Sequence, residues 1–332
     1  MDRGPWIRRR GWLAVVAATL ALVLGACGSD SDKKSSAEPT STAAPSTTAP
    51  PVVVLPGRLM FSRFNEATHS FISTHLINPD GSGEVELKLP SSEGGGRWSR
   101  DGKHIAVTTV LPDKRVGTAI MSPSGTVERV LPLPDVTINL SCNVWSPDDS
   151  RLACEGWDDK RAGRGGIYTV RSSDGADLQR LTTAPEGLSD AAGDYSPDGK
   201  HFVFKRAKDE ESAPLTILDI ADKSTRQLSA DPFEDAGRYS PDGMTIATSG
   251  GTDPPGIAIV NLDGKVLHRI VIPAASLFGP SWSPDGKWIA FSLARGGPFA
   301  DVYTSHPDGS TRRQVTRTPA NEILVEWGPS AT

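Results

Sequence analysis

Five carboxylates, Asp101, Asp148, Asp198, Asp242 and Asp285, recur along the chain, each three residues after an aromatic. Carboxylates in series could ligate a divalent cation or share protons in acid–base chemistry. Both chemistries need the groups to converge, and these occupy the same point of a repeated unit, which spreads them apart. They are therefore expected to be turn formers. The companion aromatics, Trp98, Trp145, Tyr195, Tyr239, Trp282 and Trp327, are expected to pack between repeats rather than to bind sugars. The histidines are His69, His75, His104, His201, His268 and His306, and none has a metal-ligand spacing such as H-E-x-x-H. His104 and His201 occupy equivalent repeat positions, so structure accounts for them better than catalysis does. A nucleophile elbow, a P-loop, a dinucleotide fingerprint and an EF-hand loop are all missing from the sequence. No catalytic residue, metal or cofactor is expected.

The repeat itself is most legible in WSPDGKWIAF, residues 282–291. Its copies are RWSRDGKHIAV, VWSPDDSRLAC, DYSPDGKHFVF, RYSPDGMTIAT and a truncated EWGPS, with aromatics 47, 50, 44, 43 and 45 residues apart. An aromatic closes one strand, Pro284 pre-sets φ for a turn, and Asp285 bonds the local backbone. Gly286 tolerates positive φ, and an extended apolar run resumes. A period in the forties with a hairpin in each unit marks a β-propeller, whose blades each need their neighbours to bury their faces. Counting gives six sets of three strands and six aromatic-ended strands. The first set, near 58–64, 69–77 and 84–90, has no such strand ahead of it, and the last such strand, Ile323–Trp327, has no set behind it. The expected fold is all-β: a six-bladed β-propeller of four-stranded antiparallel blades, its ring closed by the C-terminal strand.

With 332 residues, 37% of them apolar and 23% charged, the chain can bury a large core. Arg3, Arg8, Arg9 and Arg10 precede an apolar run from Trp12 to Ala26 that is shorter than the roughly 20 residues of a spanning helix. That pattern is an export signal. Leu24-Gly25-Ala26-Cys27 resembles the lipobox of bacterial lipoproteins, which implies cleavage before Cys27 and its lipidation. Arg9-Arg10 also resembles a twin-arginine export motif. The Ser/Thr/Ala/Pro-rich stretch up to residue 52 buries nothing and reads as a tether. The expected organisation is a signal peptide at 1–26, lipidated Cys27 with its tether at 27–52, and a propeller at 53–332. Removing residues 1–26 moves the formal charge from −5 to −8, which argues against nucleic acid as a partner.

The repeat resembles that of TolB-type propellers, in which W-S-P-D-G-x-x-I-A-F is followed by an I-Y strand, a D-G turn and an L-T strand. The later elements are Ile167-Tyr168, Asp174-Gly175 and Leu181-Thr182, and again Val302-Tyr303, Asp308-Gly309 and Val315-Thr316. The resemblance covers nearly all of residues 57–329 and implies the propeller fold. Arg100 in place of Pro, Asp149 in place of Gly and the missing turn after Trp327 depart from it.

Cys142 and Cys154 are equidistant from the turn near Asp148, so they should face each other on antiparallel strands and form a disulfide in an exported protein. Function is sought on the face opposite the tight turns, because loops on a rigid scaffold are where binding concentrates. The candidate binding rim is Arg97, Asp190, Asp194, Glu234, Asp235, Arg238, Glu322 and Glu326, near the mouth of the central channel. The expected function is a non-catalytic, lipid-anchored envelope protein, monomeric and extracytoplasmic, whose propeller binds or scaffolds a protein or glycan partner. The alternative is an extracytoplasmic propeller enzyme of the sugar lyase or lactonase type with a metal at the channel mouth.

Overall fold

The computed structural model describes residues 55–329, apart from residues 66, 69, 91–94, 209–210, 234, 252–253 and 297–298. The expected signal peptide, Cys27, the tether and Glu234 lie outside the described residues. Among the described residues, twenty-four strands form six four-stranded antiparallel sheets. Blade 1 holds β1 (Arg58–Phe64), β2 (Phe71–Ile77) and β3 (Val85–Leu87), and blade 2 holds β4 (Arg97–Trp98), β5 (Ile105–Val110), β6 (Val116–Met121) and β7 (Val127–Val130). Blade 3 is β8 (Asn139–Trp145), β9 (Arg151–Trp157), β10 (Gly166–Arg171) and β11 (Gln179–Arg180). Blade 4 is β12 (Ser189–Tyr195), β13 (His201–Ala207), β14 (Leu215–Asp219) and β15 (Thr225–Gln227). Blade 5 is β16 (Arg238–Tyr239), β17 (Thr245–Gly250), β18 (Gly256–Asn261) and β19 (Val266–Ile270). Blade 6 is β20 (Ala275–Trp282), β21 (Ile289–Arg295), β22 (Ala300–Ser305) and β23 (Arg313–Gln314), and β24 (Asn321–Gly328) completes blade 1 in the order β24-β1-β2-β3.

The ring therefore closes as the strand count requires. β24 pairs with β1 from Arg58↔Gly328 to Phe64↔Asn321. The innermost strands β24, β4, β8, β12, β16 and β20 each touch the next in that cyclic order. The core is divided among the blade interfaces. Trp98 packs with Met60 and Leu76 of blade 1, Trp145 with Ala106 and Ile120 of blade 2, and Tyr195 with Val144 and Ala153 of blade 3. Tyr239, Trp282 and Trp327 repeat the arrangement against blades 4, 5 and 6.

Two of the tryptophans also fasten one blade to the previous one. Trp145 Nε1 donates to Arg97 O at 3.0 Å and Trp282 Nε1 to Arg238 O at 3.1 Å. The five aspartates are turn formers of one design. Ser99, Ser146, Ser196, Ser240 and Ser283 each donate their hydroxyl to the aspartate two residues on, at 2.6–2.7 Å. The same serine oxygen accepts the amide five residues ahead, which fixes the hairpin's far side. Cys142 and Cys154 stand opposite each other in the β8–β9 register and are bridged.

Candidate functional site

The residue just before each aromatic lies near the end of an innermost strand, one rung from the tight turn. In ring order these residues are Glu326, Arg97, Val144, Asp194, Arg238 and Ser281. The order acid, arginine, neutral occurs twice, so that like groups stand on opposite blades. β-Bulges help to set these directions. The register slips between Cys142 and Val144, Ala192 and Asp194, Phe278 and Ser281, and in β24 between the partners of Met60 and Ser62. A bulge re-aims the groups beside it.

Gly193, the extra residue of the β12 bulge, is the hub. Its carbonyl accepts Nη1 of Arg97 from blade 2 and Nη1 of Arg238 from blade 5, the latter at 3.2 Å. Arg100, which replaces the motif's proline, reaches in from its turn and donates Nη2 to Asp194 Oδ1 at 2.7 Å. Arg238 lies 3.7 Å from Glu326, while its own Nε is buried with no partner among the described residues. Burial raises the Glu326 carboxyl to about 7, against the attraction of Arg97 and Arg100. Desolvation likewise lowers the Arg97 guanidinium, whereas the charge of Asp194 raises that of Arg100. Three guanidiniums and two carboxylates thus meet at the turn end of the channel.

Of the eight rim residues, Arg97, Asp194, Arg238 and Glu326 meet in this cluster. They lie at the turn end, away from the loop mouth where the spacing had put them, because a residue adjoining the aromatic is near the end of its strand. Asp190 and Glu322 are the second residues of β12 and β24 and lie at the loop end, each in a lock between two blades. Asp190 accepts Arg206 Nε and Nη2 at 2.6 and 2.8 Å and the Thr182 hydroxyl at 2.6 Å. Glu322 accepts Arg63 Nε at 2.8 Å and the hydroxyls of Thr316 and Thr318. Both arginines lie 5.3 Å over the ring of a phenylalanine, Phe204 and Phe61. Asp235 holds the hydroxyls of Thr248 and Ser249 at 2.8 Å. No group of three or more His, Cys, Asp or Glu residues suited to a metal occurs among the described residues.

No family model matches the sequence. TolB from Acinetobacter baumannii superposes on the chain with a TM-score of 0.62 at 21% identity, covering 82% of this chain and 67% of that one. The fold is a TolB-like propeller. A gluconolactonase from Xanthomonas campestris shares the architecture with a TM-score of 0.53 at 15% identity, over 76% of this chain and 86% of that one. In sequence, the chain is 28% identical to the uncharacterized peptidase YuxL of Bacillus subtilis over 149 residues, 45% of this chain and 21% of that protein. It is 22% identical to the uncharacterized protein Atu1656 of Agrobacterium fabrum over 187 residues, 56% of this chain and 61% of that protein. The alignments thus span less than two thirds of the length of either relative.

Four of the five charged members of the channel cluster stand in the candidate rim read from the sequence; Arg100 does not, because in the sequence it is only a departure from proline in one turn. The Thr–acid–Arg locks left a trace. Thr182 precedes Asp190 by eight residues and Thr316 precedes Glu322 by six, and the arginines Arg206 and Arg63 stand directly opposite those acids in the strand register.

Proposed function

We propose that the chain is a non-catalytic binding module of the cell envelope, exported, lipidated at Cys27 and held outside the membrane by its tether. The lipobox-like Leu24-Gly25-Ala26-Cys27 supports the anchor, and the composition up to residue 52 supports the tether. The observation that carries the binding role is where the charges of the channel go. Arg97, Arg100, Asp194, Arg238 and Glu326 bind one another and the Gly193 carbonyl across blades 1, 2, 4 and 5. Three guanidiniums repel a divalent cation, so the cluster suits a structural plug better than a metal-dependent active site. The chain joins the propeller at the turn face, where Trp327 Nε1 donates to Pro56 O at 2.7 Å. A tether arriving there leaves the loop face turned outward, and the partner, a protein or a glycan of the envelope, is bound on that side.

The test is crosslinking in intact cells followed by capture of the full-length lipoprotein, set beside a Cys27→Ala form. The expected result is a defined envelope partner for the wild type, with membrane fractionation and palmitate labelling lost in Cys27→Ala. Hydrolysis of glycans or lactones by the purified protein, with no envelope partner captured, overturns the reading.

A further inference from the structure

The two locks are equivalent by register, and they differ in one respect that points to a ligand. At the seam of blades 6 and 1, Arg63 uses Nε for Glu322 and Nη1 for Glu84, the latter at 2.7 Å. At the seam of blades 3 and 4, Arg206 gives Nε and Nη2 to Asp190, while its Nη1 has no partner among the described residues. The pairings Phe61↔His75↔Glu86 and Phe204↔Thr216↔Gln227 place Thr225 where blade 1 has Glu84. A carboxylate present at one seam is thus replaced by a hydroxyl at the other.

The charge difference is widened by a second substitution. Arg180 opposes Tyr168 as Gln314 opposes Tyr303, so a cation stands at the blade 3–4 seam where its counterpart is a neutral amide. Arg180 is held rigidly. Its Nε donates to Thr182 O at 2.9 Å, its Nη2 to Gly163 O and Gly165 O at 2.9 and 2.6 Å, and its guanidinium lies 5.4 Å over the Tyr168 ring. All those acceptors are neutral, so its charge is uncompensated there. Around these groups is a groove of about 440 Å³ lined by Arg180, Thr182, Thr183, Arg206, Lys223 and Thr225, with no carboxylate in its lining. The side chains of Lys223, Thr183 and Thr225 have no partner among the described residues. A basic groove on a chain of net negative charge is a local feature, not a reflection of the average.

We propose that this groove binds an acidic saccharide, whose carboxylate or phosphate takes the place that Glu84 fills at the opposite seam. Arg206 Nη1 and Lys223 hold the anionic group, Arg180 supplies a fixed positive field, and the hydroxyls of Thr183 and Thr225 bond the sugar. The volume falls within the range of small-ligand sites, and a guanidinium edge suits a carboxylate or phosphate. This deepens the binding-module reading by naming a ligand class. The two fail separately, because an envelope protein can still be captured when the groove is empty.

The test is titration of the folded protein with glucuronic acid, glycerol phosphate, inorganic phosphate and neutral glucose, followed by calorimetry or amide chemical shifts. The acidic sugar is expected to bind more tightly than inorganic phosphate, with glucose not bound and the affinity falling with salt. Thr225→Glu supplies the missing carboxylate from within and is expected to weaken glucuronic acid at least tenfold at an unchanged or raised Tm. Lys223→Gln, at an exposed turn, is expected to weaken it several-fold. The proposal is overturned if glucose binds as well as glucuronic acid, if the sugar adds nothing to inorganic phosphate, or if both variants bind like wild type. Absence of binding at about 10 mM acidic ligand, weaker than millimolar affinity, overturns it as well.

Discussion

Gly193 and Glu326 make opposite demands on the channel. A Cβ on Gly193 would collide with the carbonyl oxygens of Ala236 and Val203, both backbone atoms that cannot step aside. Gly193→Ala should therefore cost about 2–4 kcal/mol by urea unfolding, within the range for overpacking and broken buried networks. Glu326 faces Arg97, Arg100, Asp194 and Arg238, and burial raises its carboxyl to about 7. A carboxyl raised by folding takes up a proton in the native state, so its contribution to stability is present at low pH and lost as pH rises towards 7. Glu326→Gln imitates the protonated form. It should leave the Tm near pH 4 unchanged and raise stability by about 1–3 kcal/mol above pH 7, read as a Tm difference between the two conditions. The sequence shows that Glu326 precedes Trp327 and that Arg97 precedes Trp98. It does not show which groups each will touch, since that depends on bulges without a residue signature.

At the scale of the element, the two hairpins that depart from the repeat are one device. Arg100 stands where other units have proline and so has an amide to give; it donates that amide to Asp149 Oδ1 at 2.8 Å, and Asp101 N adds a bond to Oδ2 at 3.0 Å. Asp149 stands where the other turns have glycine and takes φ 57°, close to the 69–74° of Gly102, Gly199, Gly243 and Gly286. Its left-handed conformation costs about 1 kcal/mol or more, and the two amide bonds offset that. Read from the sequence, each substitution touches one turn; the structure puts them on neighbouring blades in contact. A double-mutant cycle of Arg100→Pro and Asp149→Gly should give a coupling of about 1–2 kcal/mol, whereas independent turns would add. In the same blade the Cys142–Cys154 bridge closes a separation of 12 residues. Loss of both cysteines to alanine should lower stability by about 2–3 kcal/mol, measured by urea unfolding without reductant.

The whole molecule is more symmetric than its six unequal repeats suggest. Blades 1 and 4 carry the Thr–acid–Arg locks and an acid in the channel, blades 2 and 5 place an arginine there and have two-residue inner strands, and blades 3 and 6 fasten a tryptophan to that arginine's carbonyl. The molecule is thus a pair of three-blade halves with a pseudo-twofold axis along the channel, and its two sides must be kept in register. Closure by β24 does this. β24 covers the edge of β1, Trp327 packs against Trp288 and Val302 of blade 6, its amide donates to Ser281 Oγ at 2.8 Å, and Glu322 and Glu326 join the lock and the channel cluster. Deleting residues 320–332 removes all of these at once and leaves an open sheet edge. The truncated chain should lose its single cooperative unfolding transition and self-associate, and a synthetic peptide of residues 320–332 added in trans should restore both the transition and a monomeric elution. An unchanged Tm for the truncated chain, or no response to the peptide, would show that the ring is held by the blade interfaces alone.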